Sequence, residues 1–190
     1  MLVMKFGGAS VATLKGFLAI TEIIKEKSLC QKKIVVVVSA MGNMTDQLLA
    51  LARQVHSNPP RREQDMLVSV GERISISLLA MSLAKAGIDA VSFTGSQSGM
   101  ITCDNHSDAR ILDVLPKRLV EALNQDQVVI VAGFQGVSRK GEITTLGRGG
   151  SDTSAVALAV ALGAPTVEFY KDVPGIFDAD PKTHPHAKRF

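Results

Sequence analysis

Tryptophan is absent from these 190 residues, tyrosine occurs once and cysteine twice. A chain so short of large rings is poorly supplied for stacking on single-stranded nucleic acid. Cys30 and Cys103 have no close spacing, so they make neither a disulfide framework nor a zinc-ligand pattern. A reducing compartment, the cytoplasm, is therefore expected. Charge of one sign does not dominate, since 21 Lys and Arg against 18 Asp and Glu leave +3 at pH 7. Apart from Lys32-Lys33, Arg61-Arg62 and the tail, the basic residues are scattered and form no nucleic-acid stripe. The apolar run at 155–162 is far short of the ~20 residues of a membrane span. The first residues carry Lys5 and a glycine pair in place of the apolar core of a secretory signal. Neither nucleic acid nor membrane is an expected partner.

What is present suits one packed domain: 46% hydrophobic and 21% charged residues over 190 positions, enough to bury a sizeable core. Periodicity predicts strands at 2–6, 34–38, 90–93, 128–132, 143–146 and 166–170. Helices are expected at 12–27, 45–55, 62–86 (punctuated by Gly71), 110–123 (broken or restarted at Pro116) and 153–162. The stretches 94–108 and 133–136 read as polar or glycine-rich connections. Ile34-Val35-Val36-Val37-Val38 is a continuous β-branched run that suits a central parallel strand covered on both faces. Alternating strands and helices imply an α/β fold, three-layer α/β/α around a mainly parallel sheet. No internal repeat or linker is visible. After Tyr170 the chain turns rich in Asp, Pro and Gly, and such a segment is expected to lead into further structure.

Three strand-to-helix loops offer anion sites. Lys5-Phe6-Gly7-Gly8-Ala9-Ser10 joins the first strand to the first helix, where free N–H groups and the helix dipole favour a phosphate and Lys5 adds charge. Ser39-Ala40-Met41-Gly42-Asn43-Met44-Thr45-Asp46 repeats the device, with Thr45 or Asp46 as a candidate N-cap. Gly147-Arg148-Gly149-Gly150-Ser151-Asp152-Thr153 is the sharpest: three glycines that permit an anion-binding nest, an arginine among them, and Asp152 as a candidate N-cap or a neighbour of bound nucleotide. Familiar alternatives fail. Gly136 to Gly141 has P-loop glycine spacing, but Glu142 follows where a lysine is needed. The dinucleotide glycine pattern and the protein-kinase signatures are missing. His184-Pro185-His186 reads as a solvated loop.

Together these segments resemble the aspartate kinases of the amino acid kinase family. The match runs through Lys-Phe-Gly-Gly-Ala-Ser-Val at 5–11, Val-Ser-Ala-Met-Gly at 38–42, Ser-Val-Gly-Glu-Arg at 69–73 and Ala-Gly-Phe-Gln-Gly at 132–136. It continues with Thr-Leu-Gly-Arg-Gly-Gly-Ser-Asp-Thr-Ser-Ala at 145–155 and Lys-Asp-Val-Pro-Gly-Ile-Phe-Asp-Ala-Asp-Pro-Lys at 171–182. The resemblance implies transfer of the γ-phosphoryl of ATP, with Mg2+, to the side-chain carboxylate of L-aspartate, the entry step to lysine, threonine and methionine. It implies catalytic roles for Lys5 and Asp152. The ATP side would comprise Lys5, Gly7, Gly8, Ser10, Ser39, Gly149, Gly150 and Ser151, with Lys171, Asp172, Phe177, Asp180 and Lys182 near the adenosine. Thr45, Glu72, Arg148 and Ser151 would hold the amino acid, Glu72 on its ammonium and Arg148 on its α-carboxylate. It further implies one catalytic domain over 1–190 that lacks its C-terminal part and regulatory ACT domains, and homo-oligomeric assembly of the full-length protein.

The residue chemistry agrees. A carboxylate acceptor, with a reference pKa near ~4, needs no general base. Bringing two anions together is the obstacle, and lysine, arginine and backbone N–H groups answer it. Arg148 can take a carboxylate bidentately, as lysine cannot. The sequence departs from the family pattern at Ala9, Lys171, Phe177 and Lys182, which bears on the nucleotide side. Two other readings stay open: a sibling kinase with a different carboxylate acceptor, such as glutamate or N-acetylglutamate, and a non-catalytic nucleotide-binding or assembly fragment.

Overall fold

A computed structural model describes residues 1–171 together with 175, 178, 179, 183, 184 and 186–189. Five parallel strands make the central sheet: β1 (Leu2–Phe6), β2 (Ile34–Val38), β3 (Ala90–Phe93), β6 (Val128–Ala132) and β9 (Val167–Tyr170), in the order β3-β6-β2-β1-β9. All five residues of β1, β2 and β6 are buried, the signature of parallel strands covered on both faces. Strand alternation divides their side chains. Leu2, Met4 and Phe6, with Ile34, Val36 and Val38, pack against α1 (Leu14–Ser28) and α4 (Val70–Lys85). Val3, Val35 and Val37 face α5 (Lys117–Leu123) and α6 (Gly150–Leu162). Lys5 shares the parity of Val3 and so points to the α6 side.

Helix α1 buries Phe17, Ile20, Thr21 and Ile24, positions at i, i+3, i+4 and i+7 of one apolar stripe. Thr13 caps it by accepting the Gly16 N–H at 3.2 Å, and Lys25 and Lys27 lie in the last turn, where the helix dipole favours cations. Thr21 Oγ1 and Ser82 Oγ, 2.7 Å apart, tie α1 to α4.

Where the structure differs from the periodicity, short polar strands are the reason. A second, four-stranded sheet of β4 (Met100–Thr102), β5 (Ile111–Val114), β7 (Gln135–Ser138) and β8 (Ile143–Thr145) runs in the order β5-β4-β7-β8. The stretch 110–123, expected as helix, is strand β5 up to Val114, and α5 begins only after Pro116, its N-cap residue. Proline removes a donor and disfavours helix in the residue before it. The expected connections at 94–108 and 133–136 contain β4 and the start of β7.

The stretch 61–85 breaks at Ser69, between α3 (Arg61–Val68) and α4, and not at Gly71. Gly71 lies within α4 because a Cβ there would meet Ala40 Cβ at 2.8 Å. By length and composition Arg61–Lys85 could cross a membrane, yet Ile76, Leu79 and Leu83 on it are core residues of the α/β sandwich. Before it, α2 (Met44–Val55) starts after Asn43, so neither Thr45 nor Asp46 is its N-cap.

The core assignment predicts a sharp contrast along α4. Leu79→Ala, at a site with no exposure, should cost about 2–5 kcal/mol. Met81→Ala, 66% exposed, should stay within about 0.5 kcal/mol of the parent. Urea unfolding midpoints check both, and equal costs would contradict the packing.

Candidate active site

The loops that leave the carboxyl ends of β1 and β2 and the turn that follows β8 converge on one cavity of about 720 Å³, the usual place for a ligand in an open α/β sheet. The first two loops touch: Gly42 N–H donates to Gly8 O at 3.0 Å. A Cβ on Gly8 would come within 3.0 Å of Ala40 O, so this close approach requires glycine. Gly8, Ser39 and Thr45 line the cavity. Gly7 does not line it; a Cβ there would lie 3.6 Å from Lys5 Nζ.

The third loop enters α6 through Gly149, whose φ of 76° is left-handed, a conformation glycine adopts without strain. Gly149 is also the residue at the N-cap position, which places Asp152 in the first turn and not at the cap. Gly149, Gly150 and Ser151 line the cavity from this helix N-terminus, which suits an anion.

Asp152 is engaged elsewhere. Lys5 Nζ lies 2.6 Å from its Oδ1 and Lys171 Nζ lies 2.5 Å from its Oδ2. Register explains the meeting. Strand β9 pairs with β1 so that Lys5 stands opposite Phe169, and Lys171, two residues on, falls on the same face. Burial alone would raise the Asp152 carboxyl, but the hydrogen bonds from Lys171 and Lys5 outweigh it and hold the group below the ordinary carboxylate value. Lys5 is buried, 5% exposed. Two ammonium groups and one carboxylate thus leave a net positive charge at the cavity wall.

Glu72, which also lines this cavity, is 2% exposed. Its Oε1 accepts the Ala40 N–H at 3.1 Å, while Oε2 is buried with no hydrogen-bond partner among the described residues. Burial pushes its carboxyl up to about 7, against the opposing pull of the backbone N–H donors. Such a group is costly unless a cation meets it. Arg148 lines the same cavity and forms no ion pair among the described residues. An anion and a cation in one chamber match the two ends of an α-amino acid.

Beyond Asp152 and Lys171, a second cavity of about 1040 Å³ is lined by Phe6, Ser10, Ile20, Ile23, Phe169 and Tyr170 among others. Phe6 and Tyr170 stack there with centroids 4.4 Å apart. Asp152 and Lys171 line both chambers, so a ligand can present its apolar part on one side and its charged part on the other. Ser10 is therefore on this side and away from the first cavity. Asp172, Phe177, Asp180 and Lys182 lie outside the described residues. Among those described, no group of three acidic, His or Cys side chains could hold a metal ion.

Sequence reasoning passed over Asp65, Gln64, Val68, Ser107 and Phe134, all placed in or beside the first cavity. Asp65 and Val68 are buried on α3 and Glu72 on α4, on the two sides of the break at Ser69.

The chain belongs to the amino acid kinase family, whose model matches residues 1–190. Within that family the relatives it matches at about 50% identity include aspartokinases. The aspartokinase of Mycolicibacterium smegmatis is 54% identical over 189 residues, covering 99% of this chain and 45% of that protein. The crystal structure of aspartate kinase from Synechocystis superposes with a TM-score of 0.82 at 48% identity, over 99% of this chain and 31% of that one. Aspartokinase III of E. coli, crystallised with aspartate and ADP, gives a TM-score of 0.88 at 29% identity, over 100% of this chain and 53% of that one. The chain spans about half the length of the curated relatives it matches.

The raised Glu72 carboxyl makes a stability prediction. Between the ordinary glutamate value of 4.5 and about 7 the folded chain holds a proton that the unfolded chain releases, so stability falls as pH rises through that window. Glu72→Gln removes the charge. The variant should be about 1–3 kcal/mol more stable than the parent at pH 8, with the gain vanishing near pH 4. Chemical denaturation at the two pH values checks this, and a loss of stability at pH 8 would contradict it.

Proposed function

We propose that this chain carries the nucleotide and acceptor sites of an aspartate kinase, which transfers the γ-phosphoryl of ATP to the side-chain carboxylate of L-aspartate and yields 4-phospho-L-aspartate. The carrying observation is the shared wall: Lys5 and Lys171 held on the two oxygens of Asp152, facing a chamber that also contains Glu72 and Arg148. The aspartate and ADP bound by the E. coli relative support the same pair of ligands here.

In this reading Glu72 receives the α-ammonium, which gives its buried Oε2 a partner, and Arg148 takes the α-carboxylate as a two-point clamp. Thr45 and Ser151 flank the acceptor. The side-chain carboxylate is already ionised and attacks without a general base. Lys5, Lys171 and the amide edge of α6 stabilise the charge that gathers on the phosphoryl oxygens. Asp152 keeps the two ammonium groups side by side, which their mutual repulsion would otherwise oppose. The described residues fit a polyphosphate and offer no ligand cluster of their own for magnesium, so Mg2+ would arrive on the nucleotide and neutralise its phosphate oxygens. The adenosine would use the apolar second chamber beside Phe6 and Tyr170.

Residues 1–190 are read as one kinase domain that is completed by further chain, that assembles as a homo-oligomer and that works in the cytoplasm. Its two cysteines are free, as a reducing compartment allows.

Hydroxylamine trapping of the acyl phosphate tests the reaction. With Mg-ATP, L-aspartate should give hydroxamate and L-glutamate should not, either from this chain or from one extended to its relatives' length. Arg148→Lys should raise KM for aspartate roughly 10- to 100-fold, the loss of a charge-assisted two-point contact, with KM for ATP nearly unchanged. Hydroxamate with glutamate alone would move the chain to a sibling acceptor. None from either length would leave a nucleotide-binding or assembly role.

A further inference from the structure

Asp65 is a carboxylate with no exposed surface, placed on α3 outside the phosphoryl and acceptor contacts described above. Among the described residues His106 Nδ1 lies 2.8 Å from its Oδ2. A buried charge persists only where hydrogen bonds replace its water. Two distant segments supply them. Ser107 donates its N–H at 3.0 and 3.1 Å and its hydroxyl at 3.2 Å. Thr145 donates its N–H at 3.1 Å and its hydroxyl at 2.6 Å.

Both donors are held where the cavity needs them. Ser107 has a φ of 67°, a left-handed conformation that a non-glycine residue keeps only when its surroundings over-determine it. Asp65 takes both its N–H and its hydroxyl. Thr145 ends β8, its carbonyl accepts the Ala109 N–H at 2.9 Å, and Leu146, Gly147 and Arg148 follow directly. The 105–109 turn is the floor of that segment: a Cβ on Gly147 would lie 2.7 Å from Asp108 Oδ1. Ser107, Thr145 and Arg148 all line the cavity.

We propose that Asp65 is a positioning residue for the acceptor side of the site, fixing the Ser107 turn and the end of β8 so that the backbone carrying Arg148 leaves from one place. The inference rests on the reading of this cavity as an amino-acid site. It predicts a loss confined to one ligand. In Asp65→Asn an amide NH2 replaces one of two oxygens that both face N–H or hydroxyl donors, so either orientation sets donor against donor and frees the turn. Among the described residues the hydrogen bonds of Asp65 go to His106, Ser107 and Thr145, and none goes to Lys5, Asp152 or Lys171 of the nucleotide wall.

The test is calorimetric titration of the full chain with L-aspartate and, separately, with Mg-ADP, for the parent, Asp65→Asn and His106→Ala, with unfolding midpoints for each. Asp65→Asn should weaken aspartate at least tenfold and Mg-ADP by less than twofold. His106→Ala, which removes one outer contact and leaves the carboxylate, should shift aspartate about threefold in the same direction; it carries the test if Asp65→Asn does not fold. A lower midpoint with unchanged aspartate affinity, or an equal loss for both ligands, would show a role in the fold alone and overturn the proposal. A parent that binds Mg-ADP but not aspartate would overturn the acceptor reading itself, and this inference with it.

Discussion

Asp152 holds two lysines from two different strand ends, and the rest of the site is arranged around that bridge. Without the carboxylate, Lys5 would be a buried ammonium beside a second cation, a costly arrangement at low dielectric. With it, two positive charges stand together at a helix N-terminus and the group as a whole stays cationic. The bridge needs the parallel register of β1 and β9 and the tight Gly149 entry to α6. It therefore couples the sheet order to the electrostatics of the cavity.

Glu72 follows the reverse logic. It is a carboxylate buried with one oxygen unpartnered among the described residues, which weakens the fold; in the proposed reading it would favour a cation in the cavity, a familiar trade between stability and function. Its place is set by the break between α3 and α4 at Ser69, whose carbonyl accepts the Gln135 Nε2 donor at 2.9 Å. The second sheet thus acts as a brace: Gln135 holds one end of α3 and Thr145 meets Asp65 nearer its middle.

The parallel core was legible because its strands are buried on both faces and read as unbroken apolar runs; Ile34–Val38 needed no other signal. Of the second sheet only Ile143–Thr145 was legible, as the strand expected at 143–146. Its strands are three or four residues long, and their buried positions are often polar, satisfied only by contacts made in the fold, such as Thr102 with Thr144 at 2.5 Å. Ile111–Val114 read as helix because four residues are too few to separate the two periods. Within the site, Lys5, Gly8, Arg148 and Asp152 announced themselves as glycine-loop residues, and Glu72 came from the family resemblance. Asp65 did not, because a single acidic residue carries no pattern until its partners, 42 and 80 residues away, are brought to it. Asp152 was read as a candidate N-cap or a neighbour of bound nucleotide; α6 starts earlier, after Gly149, which puts Asp152 in its first turn.

In the proposed reaction Lys5 would serve the transition state more than the ground state, since it is already held on Asp152 at the cavity before any ligand arrives. The direct test is Lys5→Met in a chain active in the hydroxamate assay, with nucleotide affinity measured beside turnover. Turnover should fall by a factor on the order of a thousand or more, a contribution of about 4 kcal/mol, with Mg-ADP affinity changed only a few-fold. Turnover within tenfold of the parent, or a fall explained wholly by weaker nucleotide binding, would contradict it.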